Sequence, residues 1–145
     1  MTETSVKIMQ CSLADNGMIK IDRIGVGVGI LLYNQAKKIG IGIHTLAPQA
    51  DSLNPPNPAK FADTAVPHAL GLLEKEGAGP PFTVAIAGGA SMAGSPTNTN
   101  IGLKVAEAAK AALAKAKIFI KTDQTGGSNI RSMTLNIDTG EIQIK

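Results

Sequence analysis

A chain of 145 residues, 43% hydrophobic and 17% charged, is long enough to bury a real core and too apolar to be disordered. Its 14 basic and 11 acidic residues are dispersed and only 3% of residues are aromatic, which argues against the basic stripe and stacking platforms of a nucleic-acid binder. No apolar run reaches the length of a membrane span, Met1-Thr-Glu-Thr-Ser5 lacks the basic-then-apolar pattern of a signal peptide, and the lone Cys11 cannot close an internal disulfide. The expectation is a cytoplasmic protein of one domain over residues 1–145, with no cofactor, no metal site and no membrane insertion.

Val6 to Ser12 alternates loosely and reads as a strand. Asp15-Asn16-Gly17 is a turn signal, and Met18 to Ile24 alternates as a second strand. Gly27 to Asn34 is apolar throughout and predicts a buried strand, with Ile39 to Leu46 pairing back on it as a hairpin. Pro48 to Pro58 is a loop. A helix follows, with Asn57 as cap, Pro58 at its first position, an apolar face of Phe61, Ala65, Val66, Ala69, Leu70 and Leu73, and Gly77 closing it. Pro67 removes one backbone bond inside it and predicts a kink.

Phe82 to Ala87 is a strand running into Gly88-Gly89, and Ser91 to Asn100 is a loop rich in Gly, Ser, Thr and Asn. Asn100 or Thr99 can cap a second, alanine-rich helix from Ile101 to about Lys115. Lys117 to Thr122 is a strand, Gly126-Gly127 breaks the chain, and Ser132–Ile137 with Glu141–Lys145 forms a hairpin around Asp138-Thr-Gly140. This order predicts an α+β domain with helices over one or both faces of its sheet.

The glycines of Gly25-Val-Gly-Val-Gly29 do not make a dinucleotide loop, because Ile30 fills the third glycine position and a strand follows where a helix is required. Gly88-Gly-Ala-Ser-Met-Ala-Gly94 carries no lysine for a phosphate loop. His44 ends an apolar strand just before Thr-Leu-Ala-Pro48; its plain reading is a histidine satisfied by backbone, and its sharper reading is a catalytic base. His68, after Pro67, reads as a surface or packing residue.

Several stretches together resemble the CheD family of chemotaxis proteins. They are the glycine turn at Gly25 before a strand ending Leu32-Tyr33-Asn34, then Gly42-Ile-His44-Thr-Leu-Ala-Pro48 and Asn57-Pro-Ala-Lys-Phe-Ala-Asp-Thr-Ala65. They continue with Ala87-Gly-Gly-Ala-Ser-Met92, Asn100-Ile-Gly102, Gly126-Gly with Arg131, and Asp138-Thr-Gly-Glu141. The resemblance covers nearly the whole chain. It implies a sandwich of mixed and antiparallel strands flanked by two main helices, similar to other cysteine-hydrolase domains. It also implies deamidation of glutamine side chains on the cytoplasmic domain of chemoreceptors, and binding to CheC-type phosphatases.

That chemistry needs a thiolate to attack the carboxamide, a histidine to move the proton, and a third group to orient the histidine. In the family these are the Cys of a Gly-Ser-Cys turn, a His before a short Leu-Pro turn, and an upstream Thr. The resemblance places them at Gly27, His44 and Ile21 of this chain. Only His44 keeps its functional atoms. Loss of a nucleophile from such a unit costs roughly 10⁴ to 10⁶ in rate. Thr45 points to the other face of the strand, and Cys11, on a different strand, reads as a small buried hydrophobe. After Asn100-Ile-Gly102 the family continues with a small residue or Glu and then Arg-Asn, whereas Leu103-Lys104 stands here. The expectation is a silent CheD-like binding or regulatory module; the alternative is an active glutamine deamidase using a displaced nucleophile or water activated by His44.

Overall fold

The structure, a computed structural model, describes residues 2–91 and 100–145. Strand β1 spans Glu3–Ser5, β2 Gln10–Ala14, β3 Met18–Ile24, β4 Val28–Asn34, β5 Ile39–Thr45, β6 Thr83–Gly88, β7 Thr122–Thr125, β8 Arg131–Asn136 and β9 Ile142–Ile144. Helix α1 spans Ala62–Lys75 and α2 spans Ile101–Lys115. Among the described residues the strands form a five-stranded sheet, β2-β5-β4-β6-β7, and a four-stranded sheet, β1-β3-β8-β9. Both mix antiparallel pairs with one parallel pair, β6 with β7 and β1 with β3. The α+β sandwich expected from the sequence is what forms.

The five-stranded sheet is the middle of three layers. One face carries Ile30, Leu32, Ile41, Ile43 and Ile86 against Val66, Ala69 and Leu73 of α1 and Val105, Ala109 and Leu113 of α2. The other carries Leu31, Tyr33, Ala85 and Ala87 against Ile19, Ile21, Ile24, Met133 and Leu135 of the four-stranded sheet. Both helices therefore cover one face only. Every residue of β4 and β5 is buried, which is why these strands read as continuous apolar runs and not as alternating ones. Each fully buried Ile or Leu contributes about 1.5–3 kcal/mol, so this double interior dominates stability.

Close approach of the sheets depends on glycines. A Cβ on Gly40 would lie 2.7 Å from Leu135 Cδ2, and one on Gly42 would lie 2.8 Å from Val6 Cγ2. The missing side chains are filled by aliphatics from the facing sheet. Tyr33 closes the far end, donating its hydroxyl to the Ile137 carbonyl at 2.6 Å.

Four elements differ from expectation. Of the expected Val6–Ser12 strand only the part from Gln10 onward is strand, in β2; β1 ends at Ser5 in the other sheet, and residues 6–9 cross between the layers through a turn with Met9 at φ 63°. The first helix starts later: Pro58–Lys60 is a 3-10 turn capped by the Asn57 side chain, and Phe61 is extended before α1 begins. Phe61 bridges Ala47 there, and that pairing takes it out of the helix. The Lys117–Thr122 strand is displaced to Thr122–Thr125. Residues 117–121 instead close α2 (Ile118 N–H donates to the Leu113 carbonyl at 2.9 Å) and carry the chain back to the sheet, so the apolar run Ile118-Phe-Ile120 marked a connection. Asn100 precedes α2 with φ 34° and makes no capping bond with its side chain. The loop expected over Ser91–Asn100 lies, for residues 92–99, outside the described residues, as does Thr99. Gly77 closes α1 as expected, with φ 74° and its N–H on the Glu74 carbonyl.

Candidate active site

His44 is the next-to-last residue of β5, between Gln10 of β2 and Gly29 of β4. Alternation puts it on the same face as Gly40 and Gly42, toward the four-stranded sheet. It is 4% exposed, and its Nδ1 is buried with no hydrogen-bond partner among the described residues. Burial lowers its pKa, so the ring is neutral at neutral pH. An orphaned ring nitrogen of this kind costs about 1–3 kcal/mol.

Ile21 is fully buried in β3 on the facing sheet. Its Cδ1 lies 3.4 Å from where a Cβ on Gly42 would sit, and Gly42 is the neighbour of His44 along that face of β5. The fold thus brings position 21 and His44 into one layer, and what Ile21 offers there is a methyl group.

Gly27 lies in the turn between β3 and β4, just before Val28, which pairs with Thr45. It is one diagonal step from His44. A Cβ built on Gly27 would lie 2.5 Å from the Thr45 carbonyl oxygen and 3.6 Å from Leu46 Cα. The space that a side chain would need is filled by backbone. The turn is held from the other side as well. The Gly27 carbonyl accepts the Gly89 N–H at 2.8 Å and the Gly25 carbonyl accepts the Ala90 N–H at 3.0 Å. Arg131 joins this clamp, its Nη1 donating to the Gly88 carbonyl at 3.3 Å. That role was not legible in the sequence beyond the spacing of Arg131 from Gly126-Gly127.

Cys11 is elsewhere. It pairs with Ile43 and shares its face, toward the helices, while Gln10 is the residue opposite His44. Burial pushes the Cys11 thiol up to about 12, the reverse of an activated nucleophile. With His68 and Asn57 it lines a recess of about 390 Å³ beneath α1. Thr45 is buried on the face opposite His44, its hydroxyl donating to the Lys60 carbonyl at 2.8 Å. A wider groove of about 1010 Å³ runs between residues 49–55 and the two helices, with His68 on its rim and His44 outside it. Among the described residues no group of three His, Cys, Asp or Glu is placed to hold a metal ion.

Residues 46–145 match the family described as CheD chemotactic sensory transduction. The chain belongs to the CheD family. Two relatives, each bearing the name "Probable chemoreceptor glutamine deamidase CheD", come from Methanococcus vannielii, 38% identical, and Methanococcus maripaludis strain C5, 34% identical. Both alignments span 124 residues, covering 84% of this chain and 80% of the relative. A third of that name, from Clostridium novyi, is 36% identical over 133 residues, covering 87% of this chain and 82% of its own. The span matched to the CheD family begins at Leu46. Ile21, Gly27 and His44 precede that span, while the alignments with the relatives, covering 84–87% of this chain, reach further toward its N-terminus.

Proposed function

We propose that this CheD-family chain is a single cytoplasmic domain that binds the cytoplasmic part of a chemoreceptor without deamidating it. A CheC-type phosphatase is the other candidate partner. The carrying observation is at Gly27: the nucleophile position has no side chain, and the Thr45 carbonyl stands where its Cβ would be. Two further observations support the reading. Ile21 offers no hydroxyl to orient His44, and the His44 Nδ1 has no partner among the described residues. The fold around these positions is intact, which is what selection for binding without turnover preserves.

The test mixes the purified chain with receptor cytoplasmic fragments from the same cell. Complex formation is followed by calorimetry and amide-to-acid conversion by mass spectrometry. The reading expects a complex and unchanged glutamines. Deamidation that survives His44→Ala would sink it. The rival reading, a deamidase with a displaced nucleophile, has one thiol to draw on, and Cys11 faces the helices. Loss of activity on alkylation of Cys11 would favour that rival.

A further inference from the structure

The turn Asp15-Asn16-Gly17 joins β2 of one sheet to β3 of the other. It lies at the opposite end of β2 from Gln10, the residue that faces His44. The fold demands glycine at position 17. Its φ is 74°, and a Cβ there would overlap the Thr2 carbonyl oxygen, so any other residue would be both strained and blocked. The Gly17 carbonyl accepts the Ile137 N–H at 2.8 Å, and the Met18 N–H donates to the Thr2 carbonyl at 2.8 Å. The Gly17 N–H meets no backbone acceptor among the described residues. Asn16 is exposed, and its Nδ2 donates to Asp15 Oδ1 at 2.9 Å. A bond between two exposed neighbours exchanges readily with water, so the carboxamide is free to turn toward the backbone.

This arrangement lets an asparagine lose its own amide. The Asn16 carboxamide carbon and the Gly17 nitrogen belong to adjacent residues, and a bond between them closes a succinimide ring. Tethered groups need no encounter, which raises their effective concentration to roughly 10⁵ M or more when well oriented. A side chain on residue 17 would crowd the attack, and Gly17 has none. The other asparagines lack this partner. Asn54 and Asn57 precede prolines, which have no N–H, and Asn34 precedes Gln35. Asn98, Asn100, Asn129 and Asn136 precede the β-branched Thr99, Ile101, Ile130 and Ile137.

We infer that Asn16 is a self-deamidation site, converted by the Gly17 nitrogen to aspartate and isoaspartate. Gly17 N loses its proton to solvent and attacks Asn16 Cγ. The N–Cγ bond forms, the Cγ–Nδ2 bond breaks, and ammonia leaves with a proton from water. Water then opens the ring. Addition at Cγ restores the main chain and leaves an aspartate; addition at the Asn16 main-chain carbonyl carbon leaves Gly17 joined through the side chain, an isoaspartate. No cofactor and no residue of the candidate active site takes part, so the inference stands apart from the binding reading.

The isoaspartate form lengthens the main chain by one carbon where Gly17 is pinned beneath Thr2 and to Ile137. The extra carbon displaces β1, which pairs with β3 alone. β1 leads into Val6, whose Cγ2 fills the space over Gly42, one step from His44 along the same face of β5. Deamidation at one end of the sandwich thus loosens the cover beside the candidate site.

The experiment incubates the full chain in warm neutral buffer beside a synthetic peptide of residues 10–22. Peptide mapping by mass spectrometry follows every asparagine, and enzymatic methylation detects isoaspartate. The native chain exchanges amide for acid at Asn16 and at no other asparagine, at a rate independent of chain concentration. Asn16→Gln, whose longer side chain closes a less favoured ring, slows the loss at that position by about tenfold or more. The isoaspartate form, separated by chromatography, unfolds at a lower urea midpoint than Asn16→Asp, which carries the same charge on a main chain of ordinary length. A native chain that keeps Asn16, whether or not the peptide converts, overturns the inference. So does equally fast loss at another asparagine, or a rate that climbs with chain concentration, which would mark one copy acting on another. Equal urea midpoints for the isoaspartate form and Asn16→Asp overturn the reach to β1.

Discussion

Replacing Gly27 with Ala tests the central geometric claim directly. The new methyl would stand 2.5 Å from the Thr45 carbonyl oxygen, against the 3.4 Å at which ordinary contact begins. The backbone angles at Gly27 lie outside the left-handed region, so the variant isolates that clash. Thr45 has little freedom to yield. It is fully buried, its hydroxyl is bonded to the Lys60 carbonyl, and the amide of Leu46 is bonded to the same carbonyl at 2.8 Å. The turn cannot retreat easily either, because Gly89 and Ala90 hold its carbonyls. Overpacking a site held on both sides costs about 1–3 kcal/mol. For a chain of this length that lowers the melting temperature by about 2–4 °C per kcal/mol. Urea denaturation at 25 °C should show an earlier midpoint with an unchanged slope. The triple restoration Ile21→Thr, Val26→Ser, Gly27→Cys should be destabilised in the same way and remain inactive on receptor fragments. A Gly27→Ala midpoint equal to or above wild type would show that the turn still has room, and the argument for a closed site would fall.

Gly71→Ala is the matched control: a Cβ there meets nothing within 4 Å on α1, so relief of glycine's helix cost should raise stability by about 0.5–1 kcal/mol in the same urea assay. His44 links folding to pH. Burial holds its folded pKa below the ordinary 6.5, so the unfolded chain takes up the proton first as pH falls. Its stabilising contribution is complete above about pH 6.5, declines below that by at most about 1.4 kcal/mol per unit, and levels off once folded His44 protonates. Denaturation from pH 7.5 to pH 5 should show a flatter dependence in His44→Leu; parallel curves would refute the assignment. Cys11, with its thiol at about 12, should react with iodoacetamide at pH 8 hundreds-fold or more slowly in the native chain than in urea. Equal rates would show it to be exposed.

What the sequence carried about the fold was its strongly patterned stretches. The all-apolar β4 and β5 announced a sheet covered on both faces, and α2 announced itself through alanines and period. The misplaced elements share a cause. Val6–Ser12 and Lys117–Thr122 have strand composition, but each must cross between layers, and a crossing leaves no periodic trace in the residues. Phe61 looked helical because its apolar ring falls on the right face of α1. Its pairing with Ala47, a contact between distant residues, pulled it out. The positions of the site were legible only through likeness to CheD. No local pattern says that Ile21 on β3 lies beside the His44 face, since this depends on how two sheets stack. The clash at Gly27 was invisible for the same reason.

The pairing of β3 with β8 has a consequence for how the chain folds. Met18 pairs with Asn136 and Ile24 with Arg131, while β4 and β5 form a local hairpin. Local contacts close quickly and distant ones slowly. The hairpin carrying His44 can therefore form early and take its cover over Gly42 from Val6, Ile19 and Ile21, while Gly40 waits for Leu135 and Ile137 until β8 arrives to complete the second sheet. During that interval Gly40 leaves a flat, side-chain-free strip at its end of β5. The segment after Thr125 thus acts as the cover that shields this strip from pairing with another molecule. A chain cut after Thr125 would retain most of the helix-facing core and be prone to aggregate through the uncovered face.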